Sequence, residues 1–146
     1  MIPKLMVKYA SPEIEAQAPL KYAKSGDCGL DLANASGKQI LLLPNAKELI
    51  PAGIQVKIPE GYCGLIIPRS SAFVKKGLTI ITGLIDSGYT GPLYSVVWNS
   101  GLLSVTVDPW ERLSQMMVFP VPQMEIESVQ ELPVTERGAT GFGSTG

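Results

Sequence analysis

Histidine is absent from this chain of 146 residues. That one lack removes Ser-His-Asp triads, Cys-His pairs and histidine-based zinc sites. Charge is scarce as well: Asp, Glu, Lys and Arg together make up 17%, against roughly 25% in soluble domains. The net charge of −1 offers no basic footprint for general nucleic-acid binding. A local group of cations for one small anion stays open. Two cysteines occur, Cys28 and Cys63, too few and too far apart for a disulfide scaffold, so they read as buried or incidental thiols. No apolar run reaches the roughly 18 residues that span a bilayer, and Met1-Ile2-Pro3-Lys4 lacks the apolar core of a signal peptide. The expectation is a protein without membrane or nucleic-acid partners. It would be cytoplasmic, or in the nucleus or an infected host cell if the source is viral.

What is present is apolar. Hydrophobic residues make up 45%, enough for one domain with a real core. So little charged surface for a lone copy hints at interfaces between subunits. Fifteen glycines and twelve prolines punctuate the chain and leave few windows long enough for a helix. Ile54-Gln55-Val56-Lys57-Ile58 alternates as a half-buried strand does. Leu41–Leu43, Leu65–Ile67, Leu78–Ile81, Leu93–Trp98, Leu103–Val107 and Leu113–Phe119 are further strand candidates. Short strands between frequent turn signals predict an all-β fold, a sandwich, jelly roll or barrel. One short helix is expected, capped by Ser70 or Ser71, running through Ala72–Lys76 and ending at Gly77. Glu125–Leu132 fits helix or edge strand equally.

Three stretches carry chemistry. Pro68-Arg69-Ser70-Ser71 precedes the helix, whose unpaired N–H groups together with an arginine fork and hydroxyls suit phosphate; in isolation it reads more readily as an ordinary capped turn with a surface arginine. Gly83 through Gly91 reads as strand, tight turn, strand, with Asp86 and Tyr89 near the tip of a hairpin. Arg137 through Gly146 holds four glycines and one large apolar side chain. Such a segment cannot order itself by burial, yet bare glycine backbone can approach an anion closely.

These three stretches, together with Cys28-Gly29-Leu30-Asp31-Leu32 and Glu111-Arg112-Leu113-Ser114-Gln115-Met116, follow in an order that closely resembles the five motifs of the trimeric dUTPases (deoxyuridine triphosphate nucleotidohydrolases). The resemblance extends from about residue 20 to the C-terminus. It implies a distorted jelly roll or β-barrel over residues 1–133, with a glycine-rich arm, 134–146, that closes a neighbouring subunit's active site in a homotrimer. It also implies Mg2+-dependent hydrolysis of dUTP to dUMP and pyrophosphate, by water attack on the α-phosphate.

The resemblance assigns roles residue by residue. Asp86 matches the carboxylate that activates the water. Asp31 matches an aspartate near the water shell of the metal, and Gln115 a glutamine that helps hold the phosphates. Arg69, Ser70 and Ser71 match phosphate ligands; Arg137, Gly143, Ser144 and Thr145 match the part of the arm that closes over the γ-phosphate. Main-chain groups of Gly83, Leu84 and Ile85 would read uracil, Tyr89 would exclude a 2′-hydroxyl, and Phe142 would stack on the base. Ser71, Ser114, Trp110 and Gly88 depart from residues common in the family, and Ile80-Ile81-Thr82 lacks an asparagine that some members use against uracil. Two other functions are compatible with such a fold: a dCTP deaminase or bifunctional relative, and a regulatory binding protein.

Overall fold

A computed structural model describes residues 2–141. The elements are β1 (Met6–Tyr9), α1 (Pro12–Gln17), β2 (Leu30–Ala33), β3 (Ile40–Leu42), β4 (Lys47–Lys57), β5 (Tyr62–Pro68), α2 (Ser70–Lys76), β6 (Leu78–Ile81), β7 (Gly83–Ile85), β8 (Pro92–Asn99), β9 (Val105–Val107) and β10 (Arg112–Pro120). They form two four-stranded sheets, ordered β1-β4-β8-β6 and β2-β10-β5-β7, and a two-stranded β3-β9 ribbon. Every pairing is antiparallel. The expected all-β architecture is therefore present. No helix among the described residues is long and apolar enough to cross a membrane.

Strand alternation explains where the core sits. In β4, Ile50, Ala52, Ile54 and Val56 are buried while their neighbours are not, so one face of the strand points inward. They divide between two apolar clusters. One gathers Ile54, Val56, Ile58, Ile66, Leu93 and Met116; the other gathers Ile50, Leu78, Ile80, Val97 and Leu113. Between the sheets, the buried hydroxyls of Ser95 on β8 and Ser114 on β10 lie 2.7 Å apart in a hydrogen bond. Ser114 is thus a satisfied polar pair inside an apolar layer, which accounts for a serine at that position.

Several local expectations need correction. The described residues form two short helices, not one. Ser11 caps α1 through its hydroxyl, with Pro12 at the first turn, a start signal that the sequence does carry. Helix α2 does end at Gly77, in the left-handed region at φ 64, but its N-cap is Arg69, and Ser70 and Ser71 lie inside it. Glu125–Leu132 forms neither helix nor strand. Gly83–Gly91 is not a hairpin: β7 belongs to one sheet and β8 to the other, so the turn between them bridges the sandwich. The two cysteines, by contrast, are free thiols as expected, and of the two readings the incidental one holds, since Cys28 is exposed and Cys63 intermediate.

Trp110 has φ 63, a left-handed conformation that favours glycine and costs other residues some strain. Its amide donates to the Asn34 carbonyl at 2.8 Å, and its ring packs against the first apolar cluster. This explains both why glycine is common there and what compensates for its replacement.

Candidate active site

Two separate clusters emerge from this frame. The first stands on the outer face of the β2-β10-β5-β7 sheet. Gln115 on β10 is in register with Asp31 on β2 and with Ile67 on β5, and directly opposed residues share a face. Strand β5 ends one residue before Arg69, so the arginine and the first turn of α2, Ser70 and Ser71, close one end of this row. The resulting cleft of about 410 Å³ is lined by Cys28, Gly29, Asp31, Arg69, Ser70, Ser71 and Gln115, among others.

Charge organises it. One carboxylate oxygen of Asp31 meets Arg69 Nε at 2.9 Å, and the other meets Arg112 Nη1 at 3.4 Å. Arg69 Nη1 also donates to the Arg112 carbonyl at 3.3 Å. Two guanidinium groups against one carboxylate leave a surplus positive charge, and the shared acceptor holds both forks in place. Gln115 Nε2 donates to the Pro68 carbonyl at 3.2 Å. A β-carbon on Gly29 would run into the Gln115 side chain, so glycine is needed for the amide to lie there. Reasoning from the sequence assigned no role to Arg112 or Gly29. Their signal was their place inside the fourth and first motifs.

Divalent-ion chemistry fits only one arrangement here. No group of three or more potential metal-ligating side chains occurs among the described residues, so a protein cage is not formed. A carboxylate has about four acceptor positions, so Asp31 can accept from both arginines and still from a metal-bound water. That donor set suits an ion carried mainly by phosphate oxygens and water, as Mg2+ prefers.

The second cluster lies at the sheet edge. Among the described residues strand β7 pairs only with β5, through Gly64↔Ile85, Leu65↔Leu84 and Ile66↔Gly83, so its other edge keeps main-chain donors and acceptors for a ligand. The chain then turns, with the Tyr89 amide donating to the Asp86 carbonyl at 3.0 Å. A largely apolar pocket of about 250 Å³ is lined by Gly83, Leu84, Ile85, Asp86, Tyr89 and Tyr94, with Leu49, Ile66 and others behind. The Tyr89 hydroxyl donates to the Pro92 carbonyl at 2.9 Å. A β-carbon on Gly91 would come within 2.5 Å of that hydroxyl, so Gly91 makes room for the ring. Gly91 is a second glycine with a site role that its residue type alone did not reveal.

The two clusters do not meet within one chain. Ile66 borders the pocket and Ile67 the cleft, and consecutive strand residues point to opposite faces. Asp31, Arg69, Ser70, Ser71 and Gln115 are therefore together, and Gly83, Leu84, Ile85, Asp86 and Tyr89 are together, on different sides of β5. Arg137 joins neither; its Nε donates to the Thr140 carbonyl at 3.1 Å. Phe142, Gly143, Ser144 and Thr145 lie outside the described residues.

A β-sandwich with a cationic cleft on one face and an apolar pocket beside an edge strand defines a class of protein suited to small ligands that are anionic at one end and flat at the other. Comparison with known proteins narrows the class. A family model described as dUTPase matches residues 15–146. Among curated proteins, the deoxyuridine 5′-triphosphate nucleotidohydrolase of Cronobacter sakazakii is 40% identical over 150 residues, covering 100% of this chain and 99% of that protein. The same-named protein of Bordetella avium is 43% identical over 128 residues, covering 86% of each. Among solved structures, a mutant of the Staphylococcus bacteriophage 80alpha dUTPase with dUpNHpp has a TM-score of 0.88 at 30% identity, covering 98% of each chain. A mutant dUTPase from phage phi11 of S. aureus, described with a structural Mg(II) ion, has a TM-score of 0.78 at 26% identity, covering 88% of this chain and 97% of that one. The chain belongs to the dUTPase family.

Proposed function

We propose that the cleft and the pocket are two halves of one kind of active site, joined where copies of the chain meet in a homotrimer. The reaction is hydrolysis of dUTP to dUMP and pyrophosphate, the activity that the family and the named relatives support. The observation that carries the shared site is the opposed placement of the clusters across β5: the cleft of one copy needs the pocket of another. Exposed apolar side chains after β10, Ile126 at 89% and Leu132 at 83%, agree with a segment that is covered by another copy. In this reading residues 134–146 are the arm that closes over a neighbouring subunit's site, with Arg137, Gly143, Ser144 and Thr145 on the γ-phosphate and Phe142 on the base.

Water attacks the α-phosphorus, the bond to the bridging oxygen breaks, and pyrophosphate leaves. Asp86 orients the water and takes its proton. Arg69, Ser70, Ser71 and Gln115 hold phosphate oxygens, and the surplus positive charge of the Asp31, Arg69 and Arg112 group counters the charge of the triphosphate. Asp31 would hold Mg2+ through water, and the ion would supply further neutralisation of the triphosphate charge. The free edge at Gly83, Leu84 and Ile85 matches the acceptor, donor and acceptor pattern of uracil, and the Tyr89 ring occupies the space of a 2′-hydroxyl. A cytoplasmic location goes with this reading.

The test is purified protein, Mg2+ and dUTP, with pyrophosphate measured. No release would end the enzymatic reading, and ammonia from dCTP would favour the deaminase. A monomeric mass by size exclusion with light scattering, in a preparation that still turns over dUTP, would end the shared site.

A further inference from the structure

The Asp86 carboxylate makes no hydrogen bond or ion pair with any described residue. Its position is therefore inherited from the main chain that carries it. That main chain has little support of its own. Strands β7 and β8 on either side join different sheets, so no ladder closes the loop, and its own turn supplies one bond, from the Tyr89 amide to the Asp86 carbonyl.

Support comes instead from β4. Gln55 and Lys57 are two residues apart on this strand, so their side chains leave the same face. Gln55 Nε2 donates to the Thr90 carbonyl at 2.8 Å, and Lys57 Nζ donates to the Ser87 carbonyl at 2.8 Å. Each acceptor adjoins a functional residue: Ser87 directly follows Asp86, and Thr90 directly follows Tyr89. The platform is firm, because Ile54, Val56 and Ile58 between and beside the two donors are 3%, 2% and 0% exposed. Lys57 also borders, with Asp86 and Ser87, a cavity of about 840 Å³.

We propose that Gln55 and Lys57 are positioning residues, a two-point clamp that fixes the Asp86–Tyr89 loop against β4 and so sets where the Asp86 carboxylate stands. The assignment rests on Asp86 being the group that directs water. Misplacement by about 1 Å can cost a reaction up to about 100-fold, whereas one exposed side-chain hydrogen bond to a loop carbonyl matters little to global folding. The clamp should therefore show in turnover rather than in stability.

The experiment compares Lys57→Met, which keeps the stem and removes the donors, with Gln55→Leu, Lys57→Arg and the control Lys47→Met on the same strand. Steady-state kinetics on dUTP with Mg2+ and amide hydrogen exchange of the ligand-free protein are the readouts. Lys57→Met and Gln55→Leu should each lower kcat by about 3- to 10-fold with KM within about twofold. Lys57→Arg should recover most of the loss, and Lys47→Met should behave as wild type. Exchange at residues 87–91 should quicken in the first two variants while core strands keep their protection. Unchanged kcat and unchanged loop exchange would overturn the clamp, as would faster exchange throughout the molecule. Full turnover by Asp86→Asn would instead remove the assignment of Asp86, and the exchange data would still decide whether the clamp exists.

Discussion

The cleft and the pocket are built by different means. In the cleft, side chains hold side chains: Asp31 on β2 bonds Arg69 beyond β5 and Arg112 on β10, so three strands of one sheet set the geometry. In the pocket, main chain does the holding. A strand edge unpaired among the described residues, a turn and the Tyr89 bond to the Pro92 carbonyl define it, and the Asp86 carboxylate has no hydrogen-bond or ion-pair partner among those residues. The first arrangement suits phosphate, which tolerates several orientations but demands charge. The second suits a base and sugar, where shape and hydrogen-bond pattern decide. Damage to one should thus appear as weakened phosphate binding, and damage to the other as lost chemistry or lost discrimination.

The sharpest test of that division is Asp86→Asn. The amide keeps the size and removes the base, so kcat for dUTP should fall by roughly 100- to 10,000-fold, with KM changing little. A matching rise in KM would mean that Asp86 serves binding. Removal of Arg137–Gly146 tests whether the two halves suffice without the arm. We expect a folded protein with unchanged oligomeric mass and activity lower by about 100-fold, read by size exclusion and pyrophosphate release. Unfolding on truncation would make the segment structural.

Legibility in the sequence follows the same line between local and non-local information. Ile54–Ile58 announced β4 because burial on one face leaves a period of two. Its first half, Lys47–Gly53, did not, since Pro51 and Gly53 look like breakers. The register shift between Pro51 and Gln55 absorbs both, and Gly53, at φ 68, also sits where a β-carbon would press on Ile14 and Ala35. The helix ending at Gly77 was readable from one residue, whereas the six residues of α1 were too few for a periodic signal. Nothing in Gly83–Gly91 could tell that its two strands join different sheets, because strand partners are chosen at a distance. The candidate site residues were legible as motifs. Their grouping into two clusters on opposite sides of β5 was not, and neither was the Asp31–Arg112 pair, 81 positions apart.

A smaller effect is expected from Gly29→Ala, which acts on the cleft alone. The new methyl group would force the Gln115 side chain to move and break its bond to the Pro68 carbonyl. Losing one well-placed donor to a charged ligand is worth about 1.5–3 kcal/mol at most. We therefore expect kcat/KM for dUTP to drop by about tenfold, carried by KM, with discrimination against UTP intact. A change in that discrimination would mean that cleft and pocket are not independent.

The smallest effect, and the most selective, should come from Gly91→Ala. Its methyl group would meet the end of the Tyr89 side chain, at 2.5 Å from the hydroxyl. The ring can swing away, so the cost to folding is slight and the melting temperature should stay within a few degrees, since about 1 kcal/mol shifts a domain of this size by roughly 4 °C. Moving the ring gives up its bond to the Pro92 carbonyl and opens the space where a ribose hydroxyl would sit. The rate on dUTP should then fall only about twofold, while the UTP-to-dUTP ratio of kcat/KM rises by about 3- to 10-fold, in the range that one small steric change in a pocket commands. Phosphate affinity, measured as inhibition by inorganic pyrophosphate, should not change. If pyrophosphate binding weakened in parallel, the ring would be acting on both halves of the site, and the separation between a charge-built cleft and a backbone-built pocket would have to be abandoned.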